Sequence, residues 1–309
     1  MAKVLTVFGA TGQQGGALIR YVLGTPSLSS IFTLRGVTRD ASKAASIALK
    51  DMGVEIVEAD LDAPPTLAKA VAGSYAVFGV TNFWEKASAA VEVAQGKAIA
   101  DAAVAAGATH LIWSSLPSVE QMTAGRMSGA KHFESKAEVE AYIRTLDIKS
   151  MFFMTAWFMQ NQLGFMRPRA KANNGTYIFS QPWDHDTPLP LIDIRDTGKF
   201  IAPALLDPDL YHGKRFTCAT AFYTPGEMAA AWTKVTGKKV EVHTAGSGAE
   251  YDMLSEAQKE ETKNARDLII EFGYFGPSGK EDLAWTLEQL KEKPTTWEEF
   301  VRDHEPWFE

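Results

Sequence analysis

The sequence is short of several things, and each shortage narrows what the chain is. It holds one cysteine, Cys218, so no disulfide forms within it. A reducing compartment is expected, the cytoplasm with the nucleus open to it. Between Thr217 and Ala219 that thiol reads as a small buried residue rather than a nucleophile. No apolar run approaches the roughly 20 residues of a membrane span. The longest candidate, Met151 to Met159, reads as a buried strand leading into a loop. Met1 to Val4 runs straight into an apolar stretch ending at Phe8, too short for a signal-peptide core. Basic residues are outnumbered, 31 Lys and Arg against 38 Asp and Glu, for a net charge of -7. Direct nucleic-acid binding is therefore not expected. The six histidines are scattered, with no His-Glu-x-x-His spacing, so no metal site is expected. There is no internal repeat and no low-complexity tract.

What is present suits a globular protein of two domains, or one with a lobe. The 309 residues are 46% hydrophobic, enough to bury a core without a disulfide or metal. Short apolar runs at Lys3–Phe8, Phe32–Thr38, Val54–Ala59, Tyr75–Val80, His110–Ser114 and Lys149–Met154 read as strands. Helical spacing falls between them, at 13–23, 41–52, 65–71, 87–106 and 132–146. Strand and helix in alternation predict an α/β fold, a Rossmann-type doubly wound parallel sheet. After residue 155 the alternation stops and prolines cluster at Pro182, Pro188 and Pro190. Residues 1–154 are assigned to the Rossmann domain and 155–309 to a smaller α+β C-terminal lobe. The stretch 189–206 is a candidate to return to the first domain. Short strands are expected at 176–179, 216–219 and 240–244, and helices at 196–206, 224–235 and 255–272. The charges of that last helix read as a solvated face. The aromatic tail, Trp297 to Phe308, is expected to pack back on the lobe.

Gly9-Ala10-Thr11-Gly12-Gln13-Gln14-Gly15 follows the first strand and opens the first helix. A dinucleotide needs this arrangement. Gly9 and Gly12 let the backbone turn and approach a pyrophosphate, and Gly15 lets the helix lie close to the strand. Thr11, Gln13 and Gln14 belong to the loop and helix start that offer N–H donors and a positive dipole end. The second strand ends Gly36-Val37-Thr38-Arg39, with no acid at its tip to select NAD. Arg39 and Lys43 suit a 2′-phosphate, so NADP(H) is the expected cofactor. Ligands of open parallel sheets sit beyond the carboxyl ends of the strands. That places Asp60 and Leu61 near adenine, Thr81, Asn82 and Phe83 near ribose, and Ser114 and Ser115 near nicotinamide.

The motifs Val7-Phe8-Gly9-Ala10-Thr11-Gly12-x-x-Gly15, Val37-Thr38-Arg39, Asp60-Leu61-Asp62 and Val80 to Glu85 together resemble the NmrA-like branch of the atypical short-chain dehydrogenases. His132 to Glu140, Thr155 to Asn161 and, more loosely, Pro190 to Asp196 extend the resemblance over most of the chain. It implies an NADP(H)-binding Rossmann fold, with Trp157, Phe158 and Asn161 of the Thr155–Asn161 segment at the cofactor. Members divide between regulators that report the bound dinucleotide to protein partners and an isoflavone-reductase group that performs NADPH-dependent reduction. In ordinary short-chain dehydrogenases a Tyr and a Lys four residues later share one helix face. Here His132 stands at the Tyr position and Lys136 remains, the form that resembles the regulators. The candidate catalytic residues are thus Lys136 and His132. The residues alone leave His132 open between a proton donor and a helix-start residue without chemistry.

Two functions follow as expectations. The first is a redox sensor that binds NADP(H) and acts through a protein partner. The alternative is an NADPH-dependent oxidoreductase acting on a small organic carbonyl, enone or imine, its pocket lined by Phe83, Trp84, Phe152, Phe153, Trp157 and Phe158.

Overall fold

Apolar runs too short for helices and too continuous for half-exposed strands need cover on both faces, and a parallel sheet between helices supplies it. The computed structural model describes residues 2–164, 166–171, 175–244 and 255–308. Its first half runs β1 (Lys3–Val7), α1 (Gln13–Gly24), α2 (Pro26–Ser29), β2 (Phe32–Thr38), α3 (Ala44–Asp51) and β3 (Glu55–Glu58). It continues with α4 (Leu67–Val71), β4 (Ser74–Gly79), α5 (Phe83–Lys86), α6 (Ala89–Ala105), β5 (His110–Ser115), α7 (Val119–Thr123), α8 (Lys131–Ile143) and β6 (Lys149–Thr155).

The second half is more irregular. It holds β7 (Trp157–Phe158), β8 (Arg169–Ala170), β9 (Thr176–Gln181), β10 (Leu189–Ile192), α9 (Thr197–Leu206), β11 (Arg215–Cys218) and β12 (Ala221–Tyr223). Then come α10 (Pro225–Thr236), β13 (Lys239–Thr244), α11 (Glu256–Phe272), α12 (Gly279–Glu288) and α13 (Trp297–Asp303).

Seven strands form the main sheet in the order β11-β6-β5-β4-β1-β2-β3, every pair parallel. This is the doubly wound Rossmann arrangement. Two three-stranded sheets, β12-β10-β7 and β13-β9-β8, are built from the second half. The strand at 215–218, expected in the lobe, instead extends the main sheet beside β6. Its own residues are buried like those of any central strand, and no local signal says which sheet it joins. Within the 189–206 stretch, helix α9 lies on α1, while β10 joins a small sheet. The short helix α5 and the helix α12 were not legible as separate elements. None of the helices described is long and apolar enough to cross a membrane.

Helix α6 buries one face, at Glu92, Gly96, Ile99, Ala100 and Ala103, and leaves Asp101 on the other exposed. It packs on α8, and Gly96 sets how closely. A Cβ at Gly96 would lie 2.6 Å from a methyl of Val139 and 2.9 Å from the Trp113 ring. The C-terminal core is a group of edge-to-face tryptophans. Trp232 meets Trp297 at 4.8 Å and Trp307 at 5.2 Å, so the aromatic tail packs as expected. Cys218 is fully buried, its thiol pushed up by burial, and it donates to the Phe216 carbonyl.

At the opposite end of β5 from its carboxyl edge, His110 is fully buried and neither ring nitrogen has a partner. Burial pulls its pKa down to about 4, and His212 and Lys149 add to the effect. The unfolded chain takes up this proton near pH 6.5, and the folded chain resists it until about pH 4. Stability attributable to His110 is therefore complete above pH 6.5 and lost as pH falls through that window, about 2 kcal/mol by pH 5. Urea midpoints at pH 7 and pH 5 should show the loss in the wild type and a smaller one in His110→Leu. Equal losses in both would remove His110 as the cause.

Candidate functional site

The strand order reverses between β1 and β4, which opens a crevice at the carboxyl edge of the sheet. The glycine loop lies there. Gly9 has φ +62°, a conformation that side chains disfavour, and a Cβ on it would meet Val80 at 2.9 Å. The N–H of Gly12 donates to the Gly9 carbonyl at 2.9 Å and closes the turn. A Cβ at Gly15 would sit 2.4 Å from the Gly9 carbonyl oxygen, so only glycine lets α1 rise this close to β1. Helix α1 begins on Gly12, which has no side chain to cap it. Among the described residues nothing accepts the N–H groups of Thr11, Gln13 or Gln14. An uncapped helix start, a tight glycine turn and free N–H groups together fit the pyrophosphate of a dinucleotide.

At the tip of β2 the Arg39 guanidinium is exposed and forms an ion pair with Glu85 of α5 at 2.5 Å. Asp40 is bonded within its own loop. Its carboxylate accepts from the N–H and hydroxyl of Ser42, and those bonds hold its pKa down. Lys43 begins α3, exposed and without a side-chain partner among the described residues. At the tip of β3 the Asp60 carboxylate accepts from the Asp62 N–H at 3.0 Å, and Leu61 packs on the core.

The nicotinamide side differs from expectation in its detail. Ser114 donates to the Gln14 side chain at 2.7 Å, joining the end of β5 to the glycine loop. Ser115 points the other way, to Glu140 on α8 at 2.8 Å. Successive strand residues face opposite sides of a sheet, so the two serines cannot both serve the crevice. Glu140 is buried against Arg144 and Arg215, a structural cluster.

Lys136 is buried beneath the end of β4. Its ammonium lies 2.7 Å from Glu92 of α6, 3.1 Å from the Thr81 hydroxyl and 3.2 Å from the Thr81 carbonyl. Three protons therefore meet three acceptors. Glu92, itself only 1% exposed, also accepts from Thr81 at 2.7 Å and from Ser135. Asn82 precedes α5 and is exposed, while Phe83 is buried. One turn before Lys136, the His132 ring is bonded to Glu261 of α11, and the His132 N–H donates to the same carboxylate at 2.8 Å. Burial pushes Glu261 up, but the bonds from His132 outweigh it and leave the acid below its usual range. The ring also packs on Trp84 at 5.1 Å and Phe133 at 4.8 Å. Trp157 and Phe158, half-buried in β7, follow the end of β6, and Asn161 lies in the turn after them. The Trp157 ring meets Trp183 edge-on at 4.7 Å, and both indole N–H groups are buried without partners among the described residues.

The glycine loop, Arg39, Asp60, Thr81, Asn82 and Ser114 thus converge on one sheet edge, whereas Lys136 and His132 are engaged with buried acids. Sequence reasoning missed Glu92, Glu85, Glu261 and Trp183. Glu92 had one signal, an acid inside an alanine-rich helix. Glu261 had one as well: it falls on the apolar face of its own helix, in line with Ala265, Leu268 and Phe272. A surface depression of about 560 Å³ between α10 and α13 contains no residue from the strand ends of the main sheet and is not this crevice.

Comparison with known proteins gives a consistent result. The sequence model of the NmrA-like family matches residues 1–301. An NmrA-like family domain-containing oxidoreductase of Aspergillus hancockii is 31% identical over 297 residues, covering 90% of this chain and 87% of that protein. Among solved structures, the negative transcriptional regulator NmrA in complex with NADP matches with a TM-score of 0.80 at 21% identity, over 99% of this chain and 96% of that one. Triphenylmethane reductase of Citrobacter sp., complexed with NADP(H), matches with a TM-score of 0.73 at 19% identity, over 97% and 99% of the two chains. At those identities the structural likeness establishes the fold.

Proposed function

The chain belongs to the NmrA-like family, and on that premise we propose that it binds NADP(H) as a redox sensor and reports the bound state to a protein partner. One observation carries the choice of sensor over enzyme. Both candidate proton donors are occupied, Lys136 by Glu92 and Thr81, and His132 by Glu261.

The glycine loop and the N–H groups of Thr11, Gln13 and Gln14 hold the pyrophosphate. Arg39 and Lys43 take the 2′-phosphate, and Asp60 and Leu61 flank adenine. Thr81, Asn82 and Phe83 border the second ribose, and Trp157, Phe158 and Asn161 border the ring. Bound NADPH would supply a hydride only in the reductase reading below. Lys136 acts here as a positioning residue: it fixes Thr81 at the end of β4 from below. Helix α8 carries Lys136 and, one turn earlier, His132, so it joins the crevice to α11. A partner that prefers one ligand state would in turn raise affinity for that ligand, because linkage is reciprocal.

The names of the relatives favour a second reading. The Aspergillus protein is called an oxidoreductase, and the Citrobacter protein a reductase. The Trp157–Trp183 pair would then line an apolar substrate pocket, with Lys136 released from Glu92 to donate a proton.

Calorimetric titration with NADP+, NADPH, NAD+ and NADH, followed by a turnover screen over carbonyls, enones and imines, separates the two. Binding without turnover supports the sensor. Steady NADPH oxidation would replace it with the reductase, and absence of all dinucleotide binding would overturn both.

A further inference from the structure

The adenosine end of the crevice holds an acid that the sequence order hides. The tip of β2, where an acid would bond the ribose 2′-OH of NAD, offers none. Thr38 is turned into its own loop, hydrogen-bonded to Asp40. The Asp40 carboxylate is folded onto Ser42. Glu85 reaches the same corner from α5, on the far side of the strand reversal, and its Oε1 lies 2.5 Å from Nη1 of Arg39.

Asp60 and Asp62 attract Arg39 through space but make their hydrogen bonds elsewhere. Asp62 accepts from Gln95 at 2.6 Å and faces Lys86 at 3.8 Å, and Asp60 accepts from a backbone N–H. Glu85 is the carboxylate that holds Arg39 among the described residues. The side chains are 62% and 36% exposed, so solvent weakens the pair and a ligand can part it.

We propose that Glu85 is a specificity-determining residue that lowers the preference of this crevice for NADP(H) over NAD(H) by competing for Arg39. The inference rests on the reading that the crevice binds a dinucleotide. A 2′-phosphate carries close to two negative charges near neutral pH. It must take Arg39 from Glu85 and then sit beside that carboxylate. A 2′-hydroxyl needs no guanidinium and can donate to Glu85 instead. Glu85 thus supplies, from the end of another strand, the acid missing at β2.

The test measures dissociation constants of NADPH, NADH, 2′,5′-ADP and 5′-AMP for the wild type, E85Q, R39A and the double variant. The exposed, isosteric E85Q should raise the NADPH-to-NADH affinity ratio about 3- to 10-fold, the size expected for one screened charge. The same gain should appear for 2′,5′-ADP over 5′-AMP. It should shrink at high salt and fall by more than half when Arg39 is absent. A ratio within twofold of wild type would overturn the inference alone, leaving dinucleotide binding intact. A full gain in the R39A background would also overturn it, because Glu85 would then act without Arg39. A wild type that binds no dinucleotide would overturn the underlying reading together with this one.

Discussion

Gly15→Ala is expected to weaken NADPH binding at least 100-fold, about 2.7 kcal/mol, and to destabilise the fold. The added methyl would lie 2.4 Å from the Gly9 oxygen, 2.8 Å from the Gly9 carbon and 3.0 Å from the Phe8 oxygen. All three are backbone atoms, so no rotamer change relieves the contact, and α1 must shift away from β1. Overpacking of this kind costs about 1–3 kcal/mol. Alanine regains about 1 kcal/mol of helix propensity over glycine. That offset is smaller than the clash at its upper range, so a net loss of up to about 2 kcal/mol is expected. The shift also moves the N–H groups of Gln13 and Gln14 off the phosphates. Gly24→Ala is the control. It lies in the same helix with nothing within 4 Å of the new atom, so neither affinity nor stability should fall. Calorimetry with NADPH and urea unfolding read both effects. Wild-type affinity in Gly15→Ala would refute the assignment of the loop.

Removing one partner of the Lys136–Glu92 pair should cost about 3–5 kcal/mol, because the survivor is left charged and buried. Lys136→Met strands Glu92 with only the hydroxyls of Thr81 and Ser135. Glu92→Leu strands the ammonium with Thr81 alone. The double variant removes both charges and fills the space with apolar atoms. It should lose much less than the sum of the single losses, since an apolar replacement of a buried ion pair is often near neutral. Urea unfolding of the four proteins at pH 7 gives the cycle. Additive losses would mean that the two groups do not depend on each other. A Lys136→Met loss below about 1 kcal/mol would mean that the ammonium is solvated. The result bears on function as well. A loss of that size would favour the proposed role of Lys136, fixing Thr81, over delivery of a proton.

Much of the molecule was legible before folding was considered. The five strand–helix alternations through Met154 specify a parallel doubly wound sheet, because each apolar run needs two covered faces. Gly9, Gly12 and Gly15 point to a phosphate turn by their spacing between a strand and a helix, since their task is local and each acts through its own backbone. The Val80–Glu85 and His132–Glu140 segments carried the family resemblance for the same reason.

Other features depended on residues distant in the chain. β11 joins the main sheet by pairing with β6 across some sixty residues, and its four residues contain no mark of that partner. Ser114 and Ser115 are indistinguishable as a dipeptide, and only the pleat sends one to Gln14 and the other to Glu140. Lys136 and His132 carry no mark of a partner on their own helix, yet Glu92 and Glu261 arrive from other helices and engage them. Arg39 looked free for a phosphate until Glu85 came across the strand reversal. The sequence by itself determined the fold and the phosphate loop, whose physics is local periodicity and backbone conformation. Tertiary structure decided which charges remain free to act, because a charge is neutralised by whatever the fold brings within a few ångströms, at any distance along the chain.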